Sequence, residues 1–464
     1  MAKKDNFLEK WELEFNSCSE KTIYEFASDA ARKFYRENNC NRQFPMKLDG
    51  LKPVYRRVLV VTLGLADKLQ KTAKIVGETM GSLHPHGDSS ISPVVSEFVG
   101  YGVFDGQGQH GVPSFFGNDT RPAAMRYTEA KLNKRYRDMI SPVMEFVPYK
   151  DGELEEKEPE YIPTPIPYAI RFGSESLGSG VNGKIPALDA KSLHEAMLTD
   201  DFSKIESGYG LEIIKEKSEL EKLWNIGEGK LTFRFPVKDI IDEAGRVIGV
   251  AMCGKPKLFK PRMNKTSDSD EKNPKRVVKK VAPMSQLKQY ADEELITITE
   301  NSKEYRLEIR LNPRIKKVSI TEIRELAELA SVHSRTFKLM VTDGNSVFKI
   351  PLKYWLKECY DNYVNLISRY KEGNLEKLRF EYRLYELLPK AADLISENKK
   401  ITEEQLAEGL GITDMRIVKA ILAKTLSQVM AVNNSEKLNS IQMKIDKFTN
   451  IDPVEYTEDV ISKL

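Results

Sequence analysis

From Lys349 the chain reads "KIPLKYWLKECYDNYVNLISRYKEGNLEKLRFEYRLYELL", and helical periodicity persists for some forty residues. Leu375, Leu378, Tyr382 and Tyr385 fall at the 3-4-3 spacing of a seam packed against another helix. An apolar seam on so long a helix needs a partner along it, so a long hairpin or coiled coil is the natural reading. A short helical cluster, "TEEQLAEGLGITDMRIVKAILAKTLSQVM", follows, and a charged helix around Ser435 to Phe448 is expected to return along the first. Residues 351–464 then form one unit, and the rest must divide further, because 464 residues exceed a single compact core.

Upstream, "KTIYEFASDAARKFYRE" places Ile23, Phe26, Ala27, Ala30 and Phe34 at spacings of three and four, an amphipathic helix from Lys21 to Glu37. A second helical pattern runs from Leu51 to Leu69, with Asp49 and Gly50 ahead of Pro53, and its first turns carry Lys52, Arg56 and Arg57. A shorter helix, Thr72 to Met80, breaks at "GSLHPHGD", where Asp88 can cap the next one, Ser89 to Phe98. Helix, tight turn and helix is the outline of a DNA-reading motif, and the glycine-rich "YGVFDGQGQHGVPSFFGND" fits a wing of short strands beside it. "DGELEEKEPE" holds six acidic residues in ten, and "EYIPTPIPYAI" has prolines at 163, 165 and 167 that disfavour a helix. Both predict an extended connector and a domain boundary near residue 160. Between about 185 and 350, strands such as "KLTFRFPV" and "RVIGVAM" mix with helices such as "SITEIRELAELA", an α+β region. Inside it, Lys255 to Lys280 is a polar insertion with ten Lys/Arg against three Asp/Glu, expected to be a mobile loop.

Charge in bulk is uninformative, since 72 Lys+Arg nearly cancel 69 Asp+Glu. Cys18, Cys40, Cys253 and Cys359 lie far apart with no C-x-x-C spacing, which argues against a zinc ribbon or disulfide framework and for a reducing, intracellular setting. The N-terminal "MAKKDNFLEKWELEF" lacks the apolar core of a secretory signal, and no apolar run approaches membrane-spanning length.

Three of the five histidines, His84, His86 and His110, fall within 27 residues, close in sequence to Arg126 and Tyr127. A metal site would want histidines at i and i+3 or i+4 on a helix, whereas "HPHG" sets two on a turn without a pattern of acids or thiols to complete the shell. Hydrogen bonding to a loop carbonyl or to a phosphate uses the same donors. Tyrosine is a poor nucleophile, because a phenol titrates near pH 10, and it needs a neighbouring cation, base or metal to take on phenolate character. Arg126 offers that charge, but the dipeptide "RY" alone favours a packed aromatic, since most tyrosines lie in cores or at interfaces.

The order of motifs says more. "DGLKPVYRRVL", "HPHGDSS", "DGQGQHG" and "AAMRYTEAKL", within about 80 residues, closely resemble the signature blocks of the breakage-reunion subunit of type IIA DNA topoisomerases, the gyrase A and topoisomerase IV C subunits. The similarity continues through "EPEYIPTPIP" and "NGKIP". It implies an α+β multidomain fold: an N-terminal helical arm over 1–38, a winged-helix domain over 39–160, an α/β tower over 161–350, and a long antiparallel coiled coil with a helical dimer gate over 351–464. It also implies that Tyr127 attacks a DNA backbone phosphorus, forming a 5′-phosphotyrosyl link and freeing a 3′-hydroxyl. Arg126 and Arg42 would hold charge on the phosphoryl oxygens. His86, and with it His84, would lie by the scissile phosphate, and Lys52, Arg56 and Arg57 would grip neighbouring phosphates. Ser89 falls where the family's quinolone-contacting serine lies, but four positions on, where the family has an acid, stands Pro93. Leu177 matches the family's DNA-bending isoleucine, a wedge that could separate neighbouring base pairs; an ordinary buried leucine is the alternative.

The resemblance places Mg2+ and ATP on a gyrase B-like partner and none on this chain, which shows no Walker-type glycine loop. Asp268 and Asp270 form a D-x-D, but in the Lys-rich insertion, where solvated loop is the better reading. The expected assembly is a homodimer joined to that ATPase partner on double-stranded DNA, cytoplasmic, in a bacterial or phage-infected cell. Because the chain stops at Leu464, without the DNA-wrapping propeller of gyrase-type subunits, it is similar in length to the medium subunit of T-even-type phage enzymes. Relaxation and decatenation are then expected over supercoiling. The rival expectation is a non-catalytic winged-helix DNA-binding paralogue.

Overall fold

The computed structural model describes residues 23–116, 119–154, 156–214, 216–256, 281–301, 304–315, 317–398, 401–424 and 434–464. Most of the basic insertion, including Asp268 and Asp270, lies outside the described residues, as does Cys18. Among them, no helix is long and apolar enough to cross a membrane.

Helix α1, Ile23–Asn38, has the expected amphipathic spacing but buries nothing, and Ile23, Phe26 and Phe34 are largely exposed. A π-helical turn, Asn39–Gln43, continues it and presents Arg42. Helix α2, Pro53–Gly64, begins with proline at its first position, where a missing N–H costs nothing. It stops five residues short of the expected Leu69, because the chain must turn extended at Leu65 to deliver strand β1, Gln70–Lys71, to a small sheet. Helix α3, Thr72–Ser82, leads through the histidine turn to α4, Asp88–Gly100. Gly87 rather than Asp88 is the capping position of α4, and Asp88 sits in the first turn, where its charge favours the helix dipole. Pro93 lies inside α4 and has no N–H to offer the Ser89 carbonyl.

Strands β2, Phe104–Gln107, and β3, Glu129–Leu132, complete an antiparallel sheet of order β1-β3-β2 with Gln70 opposite Ala130 and Phe104 opposite Leu132. Val58, Leu59, Ile75, Val76, Ile91 and Phe98 from the helices pack with Ala130 and Leu132 from the sheet in one core. A hairpin follows, β4 Tyr149–Asp151 and β5 Lys157–Pro159.

The proline-rich stretch is a connector buried between two cores. Tyr161, Ile162, Thr164 and Ile166 are all buried, and a single helical turn, Tyr168–Phe172, follows the last proline. Its side chains divide: Ile162, Tyr168 and Phe172 enter the first core, while Ile166, Ala169 and Ile170 enter a second. Prolines suit this strut, since fewer backbone donors need partners in a buried extended segment.

The second core lies between two sheets and their helices. Strands β6, Ser174–Leu177, and β7, Asn182–Ile185, form an edge hairpin of a five-stranded sheet completed by Val332–Lys338, Glu228–Arg234 and Glu212–Ile214. A four-stranded antiparallel sheet holds Val247–Cys253 at its centre, and helix Ile320–Ser331 packs with it. The α+β expectation for 185–350 is met.

Helix α5, Leu352–Glu397, is 46 residues long and passes through three cores in turn. Trp355, Leu356 and Cys359 enter the second core, Tyr363, Leu366 and Ile367 the first, and Leu384, Leu387, Leu388 and Ala391 a third. The third core includes Leu406, Leu410, Ile417 and Val418 from the helices Glu403–Leu410 and Met415–Leu422. Helix α6, Asn434–Thr449, returns antiparallel along α5: Lys437 pairs with Glu381 at 3.1 Å, and Phe448 meets Tyr370 edge-on at 5.5 Å. The expected seam is only partly right, since Leu375 is buried but Leu378, Tyr382 and Tyr385 are half-buried. Successive partners on different sides of α5 rotate its buried face, which a single 3-4-3 pattern cannot capture.

Candidate active site

The predicted site residues gather into two groups. The first surrounds the histidine turn. His84 is buried, its ring edge-on to His86 at 4.5 Å, and its Nδ1 faces Nη1 of Arg57 at 2.8 Å. A guanidinium only donates, so Nδ1 must accept and the ring is neutral with hydrogen on Nε2. Burial, then the charges of Arg57 and His86, lower the His84 pKa to about 4. Arg57 is itself buried and forked onto Glu158, at 2.6 and 3.1 Å, with a further bond of 2.9 Å to Glu153. Glu153 also meets Nε2 of His86 at 3.0 Å, and Nη2 of Arg42 lies 3.5 Å from that same nitrogen. Burial works to raise the Glu153 pKa, but the hydrogen bond and charge of Arg57 outweigh it and hold the carboxyl below its ordinary value.

Two expectations need correction here. Arg56 and Arg57 do not offer free guanidinium groups to phosphates. Arg56 is buried against Asp49, at 2.7 and 3.2 Å, and also donates to the Leu51 carbonyl. Asp49 is fully buried and accepts as well from the backbone N–H groups of Leu51 and Ile162, so the pair staples the start of α2 to the proline strut. Arg57 faces inward to the Glu158 and Glu153 carboxylates. Helix α2 explains both, since it is covered nearly all round, with Arg56, Arg57, Val58, Leu59, Val61 and Thr62 all buried, and leaves neither arginine a solvent face. Lys52, before the helix, stays half-exposed and donates to the Glu175 carbonyl at 2.9 Å. Burial lowers its pKa, with Glu97 and Glu175 partly opposing.

The second group is the tyrosine turn. Tyr127 closes a turn on Ala124 just before β3 and is 65% exposed, unusual for a large aromatic. The Arg126 guanidinium lies over its ring, 4.6 Å from the centroid. The backbone at Thr128 is bonded to Thr72, the first residue of α3, through Thr72 N–H at 2.9 Å and paired hydroxyls at 2.8 Å. Gly108, at φ +90°, lies so close to the Tyr127 carbonyl that a Cβ would stand 2.9 Å from it. The second glycine of "DGQGQ" is thus required by the tyrosine turn, which gives the co-occurrence of those two blocks a physical reason. His110 is not part of either group: it is buried beneath the sheet with Nε2 near the carbonyls of Gln107, 3.2 Å, and Glu129, 3.0 Å.

The turn is tied to the start of α3 and the histidines follow its end. Eleven residues of helix separate them, roughly 16 Å at 1.5 Å per residue. Among the described residues, no hydrogen bond, ion pair or ring contact joins Tyr127 or Arg126 to Arg42, His84 or His86. Ser89 is exposed in the first turn of α4, and Leu177, 79% exposed, ends β6 at the tip of its hairpin. The alternative of an ordinary buried leucine is thereby removed.

Sequence reasoning missed Glu153 and Glu158, which lie in the acidic run read as a connector. With them, His84, His86 and Glu153 form the one cluster of three potential ligand groups among the described residues. It does not fit Mg2+, which requires oxygen ligands. Nor does it fit a softer ion well, since Arg57 and Arg42 bring positive charge to the same atoms.

A family model for the A subunit of DNA gyrase/topoisomerase IV matches residues 42–233, which span both groups and the Leu177 hairpin. The DNA gyrase A subunit of Clostridium acetobutylicum is 30% identical over 387 residues, 77% of this chain and 44% of that protein. The DNA topoisomerase 4 A subunit of Haemophilus influenzae is 32% identical over 221 residues, 42% of this chain and 29% of that protein. The DNA gyrase A subunit of Mycolicibacterium smegmatis is 38% identical over 168 residues, 34% of this chain and 19% of that protein. Over residues 42–233 the chain matches the family of DNA gyrase/topoisomerase IV A subunits. It spans less than half the length of the curated relatives it matches.

Proposed function

We propose that the chain is the DNA-cleaving subunit of a type IIA topoisomerase and that Tyr127 is its nucleophile. The observation that carries this is the exposed Tyr127 phenol beneath the Arg126 guanidinium, on a turn whose backbone is fixed by Thr72 and Gly108. A packed tyrosine would gain burial; this one instead offers its oxygen to solvent. The phenol oxygen bonds to a backbone phosphorus, the bond to the 3′ oxygen breaks, and that oxygen takes up a proton to leave a 3′-hydroxyl. The phosphodiester energy is retained in the 5′-phosphotyrosyl link, so attack by the 3′-hydroxyl reseals the strand. Arg126 stabilises negative charge on the phenol and the phosphoryl oxygens.

Arg42 and His86 serve the same phosphoryl group from the other end of α3. The roughly 16 Å of helix between the two groups supports a homodimer in which the histidine side of one protomer faces the tyrosine of its partner. Residues 39–160 act as a winged-helix domain with α4 in a DNA groove, Ser89 at its tip and Lys52 on the backbone, while Leu177 wedges between base pairs. The region to 350 is the tower, and α5 with α6 is the coiled coil leading to a helical dimer gate. Mg2+ and ATP belong to a gyrase B-like protein. The test is a denaturant trap of the chain mixed with that ATPase partner, Mg2+ and supercoiled DNA. Wild type should become linked to 5′ ends and Tyr127→Phe should not. A non-catalytic DNA-binding paralogue would retain DNA but link in neither case.

A further inference from the structure

We infer that Glu153 is a positioning residue for His86, selecting the tautomer in which Nε2 carries the hydrogen and Nδ1 is left to serve the phosphate. The inference rests on the functional reading above for what His86 acts on. Two groups approach Nε2 of His86, and they ask for opposite things. The Glu153 carboxylate, at 3.0 Å, can only accept, so it requires hydrogen on Nε2; the Arg42 guanidinium, at 3.5 Å, can only donate, so it requires a lone pair there. The carboxylate contact is the shorter, and its acceptor is charged even when the ring is neutral, so it decides the tautomer. His84 completes the surroundings of the ring, edge-on at 4.5 Å, and is neutral because Arg57 occupies its Nδ1.

Glu153 is well held for such a role. Its other oxygen accepts from Nη1 of Arg57 at 2.9 Å, and Arg57 is anchored in turn by Glu158, so a buried guanidinium orients the carboxylate that orients the imidazole. The β4–β5 hairpin supplies both acids, and Gly152 closes its turn on the Glu156 carbonyl at 3.2 Å. A carboxylate fixing one nitrogen of a histidine also stabilises the imidazolium that forms when the other nitrogen takes a proton or donates to an oxyanion.

The test combines a tautomer readout with cleavage. In full-length chain with 15N-labelled histidine side chains, His86 is assigned among the five histidines by His86→Gln, and long-range 1H–15N correlations report which nitrogen is protonated. Wild type should show hydrogen on Nε2, and Glu153→Ala should move the ring toward hydrogen on Nδ1, with Arg42 taking the vacated lone pair. Single-turnover cleavage with the ATPase partner should fall about 10- to 100-fold, the usual cost of losing a group that orients a working imidazole. DNA affinity should not fall, because an acid has been removed beside phosphates. Glu153→Gln preserves shape: its one carbonyl oxygen goes to charged Arg57, its NH2 group faces His86, and the same tautomer change follows. Arg57 keeps Glu158 in both variants. An unchanged tautomer, or cleavage equal to or above wild type, overturns the inference, the latter because Glu153 would then be a competing anion. A wild type that never links DNA overturns the functional reading, and the inference with it, and is recognised because the tautomer still reads out in the absence of DNA.

Discussion

The histidine turn and the tyrosine turn sit at the two ends of α3 and are built on opposite principles. Around the histidines, Arg57 is held by Glu158 and Glu153 and Arg56 nearby by Asp49, and Arg56, Arg57, His84 and Glu158 are buried. At the tyrosine, backbone ties at Thr72, Ala124 and Gly108 fix the turn, but among the described residues the Tyr127 and Arg126 side chains have only each other. One end is a preorganised receptor whose charges are already balanced. The other is a rigidly held reagent whose partner must come from outside.

The sharpest way to break this contrast is to remove one charge from each kind of site. Asp49→Ala leaves Arg56 buried without its carboxylate and strips acceptors from Leu51 and Ile162. It should cost about 3–5 kcal/mol in chemical denaturation, the penalty for an uncompensated buried charge. Arg126→Ala should leave the denaturation midpoint unchanged yet lower cleavage by about 10³-fold or more, as losing a guanidinium at a transferring phosphoryl group does. Next comes the division between protomers: mixing Tyr127→Phe chains with His86→Ala chains should restore single-strand nicks, because one site of the mixed dimer is whole. If both groups served one phosphate within a chain, no mixture would cleave.

The smallest effect is pH dependence. His84 folds with a pKa of about 4, below its ordinary 6.5, so it is neutral in both states above pH 6.5 and stability there is full. As pH falls from 6.5 toward about 4 the unfolded chain takes up the proton first, and stability is lost across that window. His84→Gln should flatten that portion of the stability profile; an unaltered profile would mean the buried histidine is not what acid attacks.

Much of this is legible in the sequence because periodicity and motif order report local geometry. The helices α2, α3 and α4, the strands about Glu228–Arg234 and Val247–Cys253, and the returning α6 all follow from spacing. Where sequence misleads, the cause is tertiary. "VYRR" reads as a basic stripe, and only packing reveals that residues 56 and 57 point inward. The acidic run reads as an extended connector, and only the β4–β5 hairpin brings Glu153 and Glu158 to Arg57, about a hundred residues away in the chain. The prolines at 163, 165 and 167 do forbid a long helix but say nothing about burial. Leu177 shows the reverse: spacing leaves wedge and core open, and its exposure at the hairpin tip removes the core.

The central claim is that Tyr127 forms the covalent link to DNA, and the denaturant trap measures it most directly. With the ATPase partner, Mg2+ and supercoiled plasmid, wild-type chain should remain bound to the 5′ ends of broken strands after denaturation, and Tyr127→Phe should give intact plasmid and free protein. Equal linkage by both proteins would contradict the account.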